Sequence, residues 1–351
     1  METPTGSSAG ATAPTAAMLA LVGGFRVSRI LYVAASLGIT DLLGDALRTN
    51  EELAKATGTH APALARLLRA LVAIGVLWQD SEGRFGLTSL GATLRSDVPG
   101  SLRAWVLFAL GEENHRSWGE LMHSVRTGET AFEHVYGMDV WQYRNRNPGR
   151  GRLFDAAMGA LMGGVDAAFA AAYPFAGVRR IVDVAGGDAT LLITLLRAHP
   201  RLEGVLFDRP EVAANGRRRI AEAGLAERCA TVAGDVFESV PQGGDCYLLA
   251  RVIHDWDDER AVAILHNCCR AMAEGGRLLL LERIFPALLE PSPALHAAAL
   301  TDMNMMVVTG GRERTEAEYR MLLSVAGFGA MTIVPTGSGL SVLEARAARP
   351  R

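Results

Sequence analysis

The chain has 351 residues, 49% of them hydrophobic, and its 35 lysines and arginines against 38 aspartates and glutamates give a net charge of −3. This length suits one large domain or two smaller ones. The net charge lacks the basic excess of nucleic-acid-binding proteins. Four cysteines without a CxxC pair exclude a disulfide scaffold. Without a signal peptide or an uninterrupted apolar stretch of membrane-spanning length, we expect a cytoplasmic protein that does not associate with membranes.

The N-terminal part of the chain predicts a winged helix behind a disordered tail. Residues 1–17 are mostly Ala, Thr, Ser, Gly and Pro, a composition typical of disorder. Apolar residues at helical spacing follow, and then a short helix that Thr49 or Asn50 can cap, a break at Gly58, a second helix and two short strands. This order predicts a mainly α winged-helix domain over residues 18–100.

Winged helices often bind DNA, so the charge of the second helix decides between two interpretations. Arg66 and Arg69 are its only cations, whereas neutralising DNA phosphates takes several lysines or arginines. We therefore expect a packing or dimerisation role and no nucleic-acid partner. A regulator that senses a ligand through this domain is a distant alternative.

Residues 101–175 predict helices in which aromatic and basic side chains are mixed. Such side chains are more often core or interface residues than ligand contacts. Their concentration just before the C-terminal domain favours a linker that lines a substrate pocket, with Phe154 and Met158 as candidate substrate contacts.

Residues 176–351 alternate strand and helix patterns, which is typical of an α/β domain with a parallel sheet. A helix near 316–326 precedes two strands joined by a short polar turn, and this hairpin adds an antiparallel strand to the sheet. The domain is thus predicted to be Rossmann-like, with a mostly parallel sheet and one antiparallel strand. The predicted strands are 180–187 including a turn, 204–208, 228–235, 246–253, 276–282, 330–334 and 340–345.

Titratable side chains lie at four strand ends of this domain. Asp183 precedes a glycine-rich turn, Asp208 ends the second strand, Asp235 the third and His254 the fourth. In open α/β sheets, ligands bind outside the carboxyl ends of the strands. A glycine-rich first turn followed by an acid at the second strand end predicts a nucleoside site, in which the carboxylate binds the ribose hydroxyls.

The turn sequence distinguishes two nucleoside cofactors. Ala185-Gly186-Gly187-Asp188-Ala189-Thr190 does not fit the dinucleotide fingerprint GxGxxG, and Asp188 would repel a pyrophosphate. S-adenosylmethionine has no phosphate and is a cation, so it fits better than NAD. Acids near 255–258 and 302 show no metal-ligand pattern, and we expect no metal.

Six motifs in this order resemble the S-adenosylmethionine-dependent O-methyltransferases of the plant caffeate/flavonoid type and their bacterial relatives, which modify polyketides, phenazines and other aromatic natural products. The resemblance covers roughly residues 20–346. It implies S-adenosylmethionine as the methyl donor and a homodimer formed through the N-terminal domain. The motifs are DVAGGDATLL, FDRPEV, GDVFESVP, RVIHDWDDE, LLLLERIFP and GGRERTEAEYRMLLSVAGF.

The resemblance also implies roles for individual residues. His254 matches the general base, and Glu282 and Glu313 match the acids that flank it; for Glu313, an acid at a helix N-terminus is the alternative. Candidate substrate contacts are Met303 and Asn304, although a methionine run at helical spacing also fits a core. The implied cofactor contacts are Asp183, Ala185, Gly186, Asp208, Asp235, Val236, Phe237, Arg251 and Trp256, with Ala185 and Ala189 in place of family glycines.

The predicted function is methyl transfer from S-adenosylmethionine to a phenolic or enolic hydroxyl of an aromatic secondary metabolite, with His254 as the base. C- or N-methylation, or a non-methylating reaction with bound cofactor, is the alternative within the same family.

Overall fold

The computed structural model describes residues 9–348, and its internal contacts divide the chain into two units that meet between Glu112 and Glu113. The helical segment expected at residues 101–175 is therefore split, because residues 101–112 belong to the first unit and the rest to the second.

The first unit contains the predicted winged helix. At the start of helix α3 (Asn50–Thr57) the side-chain oxygen of Thr49 accepts a hydrogen bond from the backbone N–H of Glu52, whose carboxylate accepts one from the backbone N–H of Thr49. This reciprocal cap, together with Gly58 at φ 64°, delimits the helix as expected. The elements are α1 (Ala9–Ser36), α2 (Ile39–Leu43), α3 (Asn50–Thr57), α4 (Ala61–Ala73), β1 (Leu77–Gln79), β2 (Phe85–Leu87), α5 (Ser89–Ala92) and α6 (Arg103–Ala109).

Helix α1 corrects one expectation. It begins at Ala9, so residues 9–17 are helical rather than disordered, while 1–8 lie outside the described residues. The segment Pro14–Ser36 is also long and apolar enough to cross a membrane by length and composition alone. Arg26 and Arg29 interrupt the apolar residues of this segment. Its exposed apolar side chains are Met18, Leu19, Leu21, Val22, Phe25, Val27 and Val33.

The second unit opens with helices that pack around their own apolar cluster. Phe132 and Val140 are buried there with Val307 and Val308 of a later helix. The prediction of helices before the sheet is confirmed. These elements are α7 (Glu112–Gly119), α8 (Leu121–Thr127), α9 (Ala131–Tyr136), α10 (Val140–Arg146) and α11 (Pro148–Ala172).

A seven-stranded sheet forms the centre of this unit, in the order β10 (Phe328–Pro335), β11 (Ser341–Ala347), β7 (Arg277–Glu282), β6 (Cys246–Ala250), β3 (Arg180–Val184), β4 (Glu203–Asp208) and β5 (Cys229–Ala233). The pairs among β3 to β7 are parallel, and β11 is antiparallel to both neighbours, as predicted. The elements are β3 (Arg180–Val184), α12 (Thr190–Ala198), β4 (Glu203–Asp208), α13 (Pro210–Glu222), β5 (Cys229–Ala233), β6 (Cys246–Ala250), α14 (Asp258–Ala271), β7 (Arg277–Glu282), β8 (Ile284–Phe285), α15 (Pro293–Val308), β9 (Arg314–Thr315), α16 (Glu316–Val325), β10 (Phe328–Pro335) and β11 (Ser341–Ala347).

Apolar side chains hold both faces of this sheet. The four leucines of β7, residues 278–281, are fully buried and alternate between the two core layers. A strand buried on both faces reads as a continuous apolar run, which explains why the sequence revealed it.

Two predicted strands are shorter than expected. Strand β6 ends at Ala250, and Arg251 turns the chain at φ 55° into a 3₁₀ turn, Ile253–Asp255. His254 therefore lies on this turn rather than at a strand end. Strand β5 ends at Ala233, two residues before Asp235.

Candidate active site

The carboxyl ends of β3 and β4 form one side of the site. The backbone N–H of Gly187 donates to Oδ2 of Asp208 over 2.9 Å, and that of Arg209 donates to Oδ1 over 2.7 Å. The sheet thus brings the predicted ribose ligand against the predicted turn. Burial raises the pKa of Asp208 above its usual value, although both backbone donors oppose this change.

The turn after β3 is held in a strained conformation. Ala185 has φ 55° and Ala189 has φ 67°, in the left-handed region that favours glycine. A Cβ placed on Gly186 would lie 2.5 Å from Oδ2 of Asp183 and 2.7 Å from Leu206. The alanines at the two positions therefore keep the glycine-like backbone, and Gly186 is required where the turn crosses Asp183.

This turn and the strand ends fit an aminoacyl nucleoside. Asp183 is 1% exposed and its Oδ2 atom has no hydrogen-bond partner within residues 9–348, so it is available to a ligand. Burial, followed by the charges of Asp208 and Asp166, raises the pKa of Asp183 to about 8. A cationic ligand group would favour the ionised form of this carboxyl.

Aromatic side chains form the next part of this edge. The rings of Phe237 and Trp256 meet edge to face with centroids 4.8 Å apart, and Trp141 stacks on Trp256 at 5.7 Å. Asn267 holds the turn before them by donating to the carbonyls of Val236 and Phe237. Such a half-exposed aromatic pair offers a surface on which a purine can stack.

The remaining predicted cofactor residues lie close to this pair. Asp235 caps its own turn, with Oδ1 accepting from the backbone N–H of Phe237 over 2.8 Å, and its side chain is exposed. Arg251 follows β6 in its strained conformation, and its positive charge acts on both His254 and Asp255. The structure thus places all nine predicted cofactor residues along one edge of the sheet.

His254 is buried, with its ring between three carboxylates. Its Nδ1 atom lies 3.1 Å from Oε1 of Glu313 and 3.9 Å from Oε2 of Glu282, and its Nε2 atom lies 3.9 Å from Oδ1 of Asp255. A carboxylate can only accept, so Nδ1 donates to Glu313 and Nε2 keeps the lone pair. This is the tautomer that a general base requires.

The charges around His254 determine its strength as a base. Burial by itself lowers the pKa of His254, but Glu282, the hydrogen bond with Glu313 and then Asp255 outweigh it, so that the pKa is raised. Burial also raises the pKa of Glu282 to about 7. The predicted trio of His254, Glu282 and Glu313 is therefore one coupled, buried cluster.

Glu282 also holds the backbone that carries His254. Its Oε1 atom accepts hydrogen bonds from the backbone N–H groups of Val252, over 3.0 Å, and Ile253, over 2.8 Å. One carboxylate thus orients the turn with one oxygen and faces the imidazole with the other.

The segment before α16 contributes residues that the sequence analysis missed. Arg314 is fully buried and donates to the carbonyls of Ile253, over 2.9 Å, and Trp256, over 2.7 Å, and to the carboxylate of Asp258. A Cβ on Gly311 would overlap the carbonyl oxygen of His254. Residues 311–314, which we call the clasp, therefore contact both ends of the turn that carries His254, which we call the histidine turn. These contacts join residues about 60 positions apart, so no local sequence pattern reveals them.

A further missed residue, Asp302, fixes the position of Glu313. Its Oδ1 atom accepts a hydrogen bond from the backbone N–H of Glu313 over 2.8 Å. The sequence analysis considered this aspartate only as a possible metal ligand and rejected that role. Within residues 9–348 no group of three potential ligands is arranged to hold a metal ion.

The predicted substrate contacts lie on α11 and α15. Asn304 accepts a hydrogen bond from the indole N–H of Trp118 over 3.1 Å, which leaves its amide group as a donor, and Met303 beside it is half-buried. On α11, Met158 is half-buried, and the ring of Phe154 lies 3.7 Å below the guanidinium of Arg144. The contact between Asn304 and Trp118 was not predicted.

Comparison with known proteins identifies two family regions in this chain. The O-methyltransferase domain family matches residues 118–329, and the O-methyltransferase dimerisation domain family matches residues 19–97. The second match covers most of the apolar helix α1.

Three relatives illustrate the similarity. Phenazine O-methyltransferase PhzM of Lysobacter antibioticus is 42% identical, over 96% of this chain and 98% of the relative. Phenazine-1-carboxylate N-methyltransferase of Pseudomonas aeruginosa is 37% identical over 90% of this chain and 92% of its own. The crystal structure of the O-methyltransferase NcsB1 with S-adenosylmethionine and 2-hydroxy-5-methyl naphthoic acid is 36% identical, with a TM-score of 0.81 over 92% of this chain and 96% of its own.

Proposed function

The chain belongs to the S-adenosylmethionine-dependent O-methyltransferases, and from this premise we propose that His254 deprotonates a phenolic or enolic hydroxyl group of an aromatic acceptor during methyl transfer. The observation that carries this proposal is the buried hydrogen bond between Nδ1 of His254 and Glu313, which leaves Nε2 free to accept a proton.

The chemistry of the acceptor explains the need for a base. A phenol has a pKa of about 10, so little phenolate is present near pH 7. As the proton moves to Nε2, the imidazolium forms between Glu282 and Glu313, whose charges stabilise it. General-base catalysis of this kind contributes about 10²–10⁴-fold to the rate.

The residues at the sheet edge would hold the donor. When bound, S-adenosylmethionine supplies a methyl group made electrophilic by its sulfonium sulfur. Asp208 would accept from the ribose hydroxyls, and Phe237 and Trp256 would contact the adenine, with Asp235 and Val236 forming the turn beneath it. The strained turn of Ala185 and Gly186 would take the methionyl part, and no step requires a metal.

The acceptor proposed is an aromatic secondary metabolite such as a phenazine or polyketide. The relatives' names, a phenazine methyltransferase and an enzyme crystallised with a naphthoic acid, support this class. Trp118, Met303 and Phe154 offer the flat, adaptable apolar contacts that such a ring needs, and the amide of Asn304 can donate to a ring substituent.

A homodimer in the cytoplasm is part of the proposal. The exposed apolar side chains of α1 fall largely within the matched dimerisation region, and several exposed large apolar side chains on one helix are typical of a protein interface. A second copy of the chain would cover these side chains, which also accounts for the membrane-like composition of the helix.

The test starts with donor binding and continues with the base. Isothermal titration with S-adenosylhomocysteine, followed by a methyl-transfer screen over phenolic phenazines and polyketides, identifies the acceptor, and mass spectrometry of the product distinguishes O- from N- or C-methylation. His254→Ala should reduce kcat by about 10²–10⁴-fold and leave S-adenosylhomocysteine binding intact. His266→Ala, at an exposed position of α14, is the matched control. Unchanged turnover in His254→Ala would refute the base assignment.

A further inference from the structure

Helix α11 carries a buried carboxylate that the proposed reaction does not use. Asp166 is 1% exposed, and neither of its carboxylate oxygens has a hydrogen-bond partner within residues 9–348. Its helix neighbours Met162, Val165 and Phe169 belong to the apolar layer packed on the sheet. A carboxylate in such a layer loses its hydration without compensation, so its presence needs a reason.

Asp166 shares this layer with Asp183. Side chains alternate along a strand, so Asp183 points to the same face of β3 as Ile181, which belongs to that layer. The charge of Asp166 contributes to the raised pKa of Asp183, after burial and Asp208. The two carboxylates are therefore close enough to repel each other.

The position of Asp166 along α11 relates it to the turn after β3. A Cβ on Gly159 would lie 3.4 Å from Oδ2 of Asp188 and 3.9 Å from Oγ1 of Thr190. The helix bends by 53° between Met162 and Gly164, and after the bend Val165 and Phe169 pack in one apolar layer with residues of α12. Asp166 lies one helical turn before Phe169, on the part of α11 that borders α12.

Two buried acids without a basic partner fit a cation. No lysine, arginine or histidine among the described residues forms a hydrogen bond or ion pair with Asp166 or Asp183, and each has at least one unpartnered oxygen. The donor carries one compact cation with several N–H groups, the α-ammonium of its methionyl part, which can donate to two carboxylates at once.

We propose that Asp166 joins Asp183 in binding the α-ammonium group of S-adenosylmethionine, as a donor-positioning residue on α11. This inference rests on the proposed placement of the methionyl part at the turn of Ala185 and Gly186. Sequence gave no sign of it, because an isolated aspartate in an apolar helix has no motif.

The test compares two ligands that differ only in this ammonium group. S-adenosylhomocysteine and its desamino analogue, in which hydrogen replaces the amino group, are titrated by calorimetry into wild-type protein and Asp166→Asn. Wild type should bind the desamino analogue at least about tenfold more weakly, as expected for the loss of a charge-assisted hydrogen bond. Asp166→Asn should bind S-adenosylhomocysteine about tenfold more weakly than wild type and the analogue unchanged.

Asp155→Asn is the matched control, because it removes a half-buried carboxylate from the same helix near Asp208. Asp155→Asn is expected to change the affinities for S-adenosylhomocysteine and for its desamino analogue by the same factor. The thermal midpoint of ligand-free Asp166→Asn should equal or exceed that of wild type, since a buried charge is removed. Asp166→Ser serves as the second variant if the amide disturbs folding.

Three results would overturn the inference: no preference of the wild type for the amino group, unchanged S-adenosylhomocysteine binding in Asp166→Asn, or an equal loss for both ligands. Failure of the wild type to bind S-adenosylhomocysteine at all would instead refute the proposed donor site, so the two failures are distinguishable.

Discussion

Glu313→Gln tests whether the carboxylates around His254 set its strength as a base. In the wild-type protein, Nδ1 of His254 lies 3.1 Å from Oε1 of Glu313. Glutamine has nearly the same shape as glutamate but no charge, and its amide oxygen can still accept the hydrogen bond from Nδ1. Glu282 at 3.9 Å and Asp255 at 3.9 Å remain. The substitution therefore removes one of three favourable interactions with the imidazolium.

The magnitude follows from this geometry. A hydrogen bond to a charged group contributes about 1.5–3 kcal/mol, and about 1.4 kcal/mol corresponds to one pKa unit. Because two carboxylates remain, the lower end applies, and the pKa of His254 should fall by about one. The imidazolium charge that develops in the transition state is destabilised by up to the same amount, so the maximal kcat should fall by up to about tenfold.

The pH dependence of kcat, measured with an acceptor found by the methyl-transfer screen, checks both values. His254 accepts a proton only when neutral, so kcat rises as pH rises through its pKa. In Glu313→Gln this rise should occur at lower pH. Glu316→Gln, at an exposed position at the start of α16, is the control and should leave the profile in place. A rise that stays where it is, or moves to higher pH, contradicts the assignment.

The clasp and the strained turn lead to three further predictions. Arg314→Lys should lower the free energy of unfolding by about 2–3 kcal/mol and reduce kcat more than it raises KM, as urea denaturation and steady-state kinetics will show. The single nitrogen of lysine lacks the planar fork with which three guanidinium nitrogens reach the carbonyls of Ile253 and Trp256 and the carboxylate of Asp258. Gly311→Ala should cost about 1–3 kcal/mol or more and abolish turnover, since the new methyl overlaps the His254 carbonyl; normal activity in a soluble, folded variant would exclude the clasp. Ala185→Gly should raise the free energy of unfolding by about 0.5–1 kcal/mol, because glycine adopts φ 55° without strain, and a lower thermal midpoint would show that the turn is not strained.

Sequence patterns predicted the elements whose signals are local. The leucines of β7 and the alternation of strand and helix patterns predicted the parallel sheet, and Thr49 and Gly58 predicted the limits of α3. Because the carboxyl ends of parallel strands share one edge, Asp183 and Asp208 could be placed together before the structure was known.

The remaining features depend on contacts between distant residues. Arg314 and Gly311 meet the histidine turn only in the folded chain, and an arginine in a polar motif is normally expected at the surface. Composition alone does not indicate the helical start of α1, because glycine, serine and proline accompany the alanines, which favour helices.

Backbone strain adds an independent line of argument for the location of the site. Within residues 9–348 the non-glycine residues at positive φ are Ala185, Ala189 and Arg251. The first two flank the turn after β3 and the third follows β6, so all three lie at the carboxyl edge of adjacent strands. Such conformations cost about 1–3 kcal/mol each and persist where surrounding contacts enforce them, commonly at binding sites. Glycines at positions 185 and 189, as in the family, would adopt these angles without strain. The chain has alanines there, yet the turn keeps the same left-handed backbone. The shape of this edge is therefore what the fold preserves, and a donor that binds it meets a turn already in place.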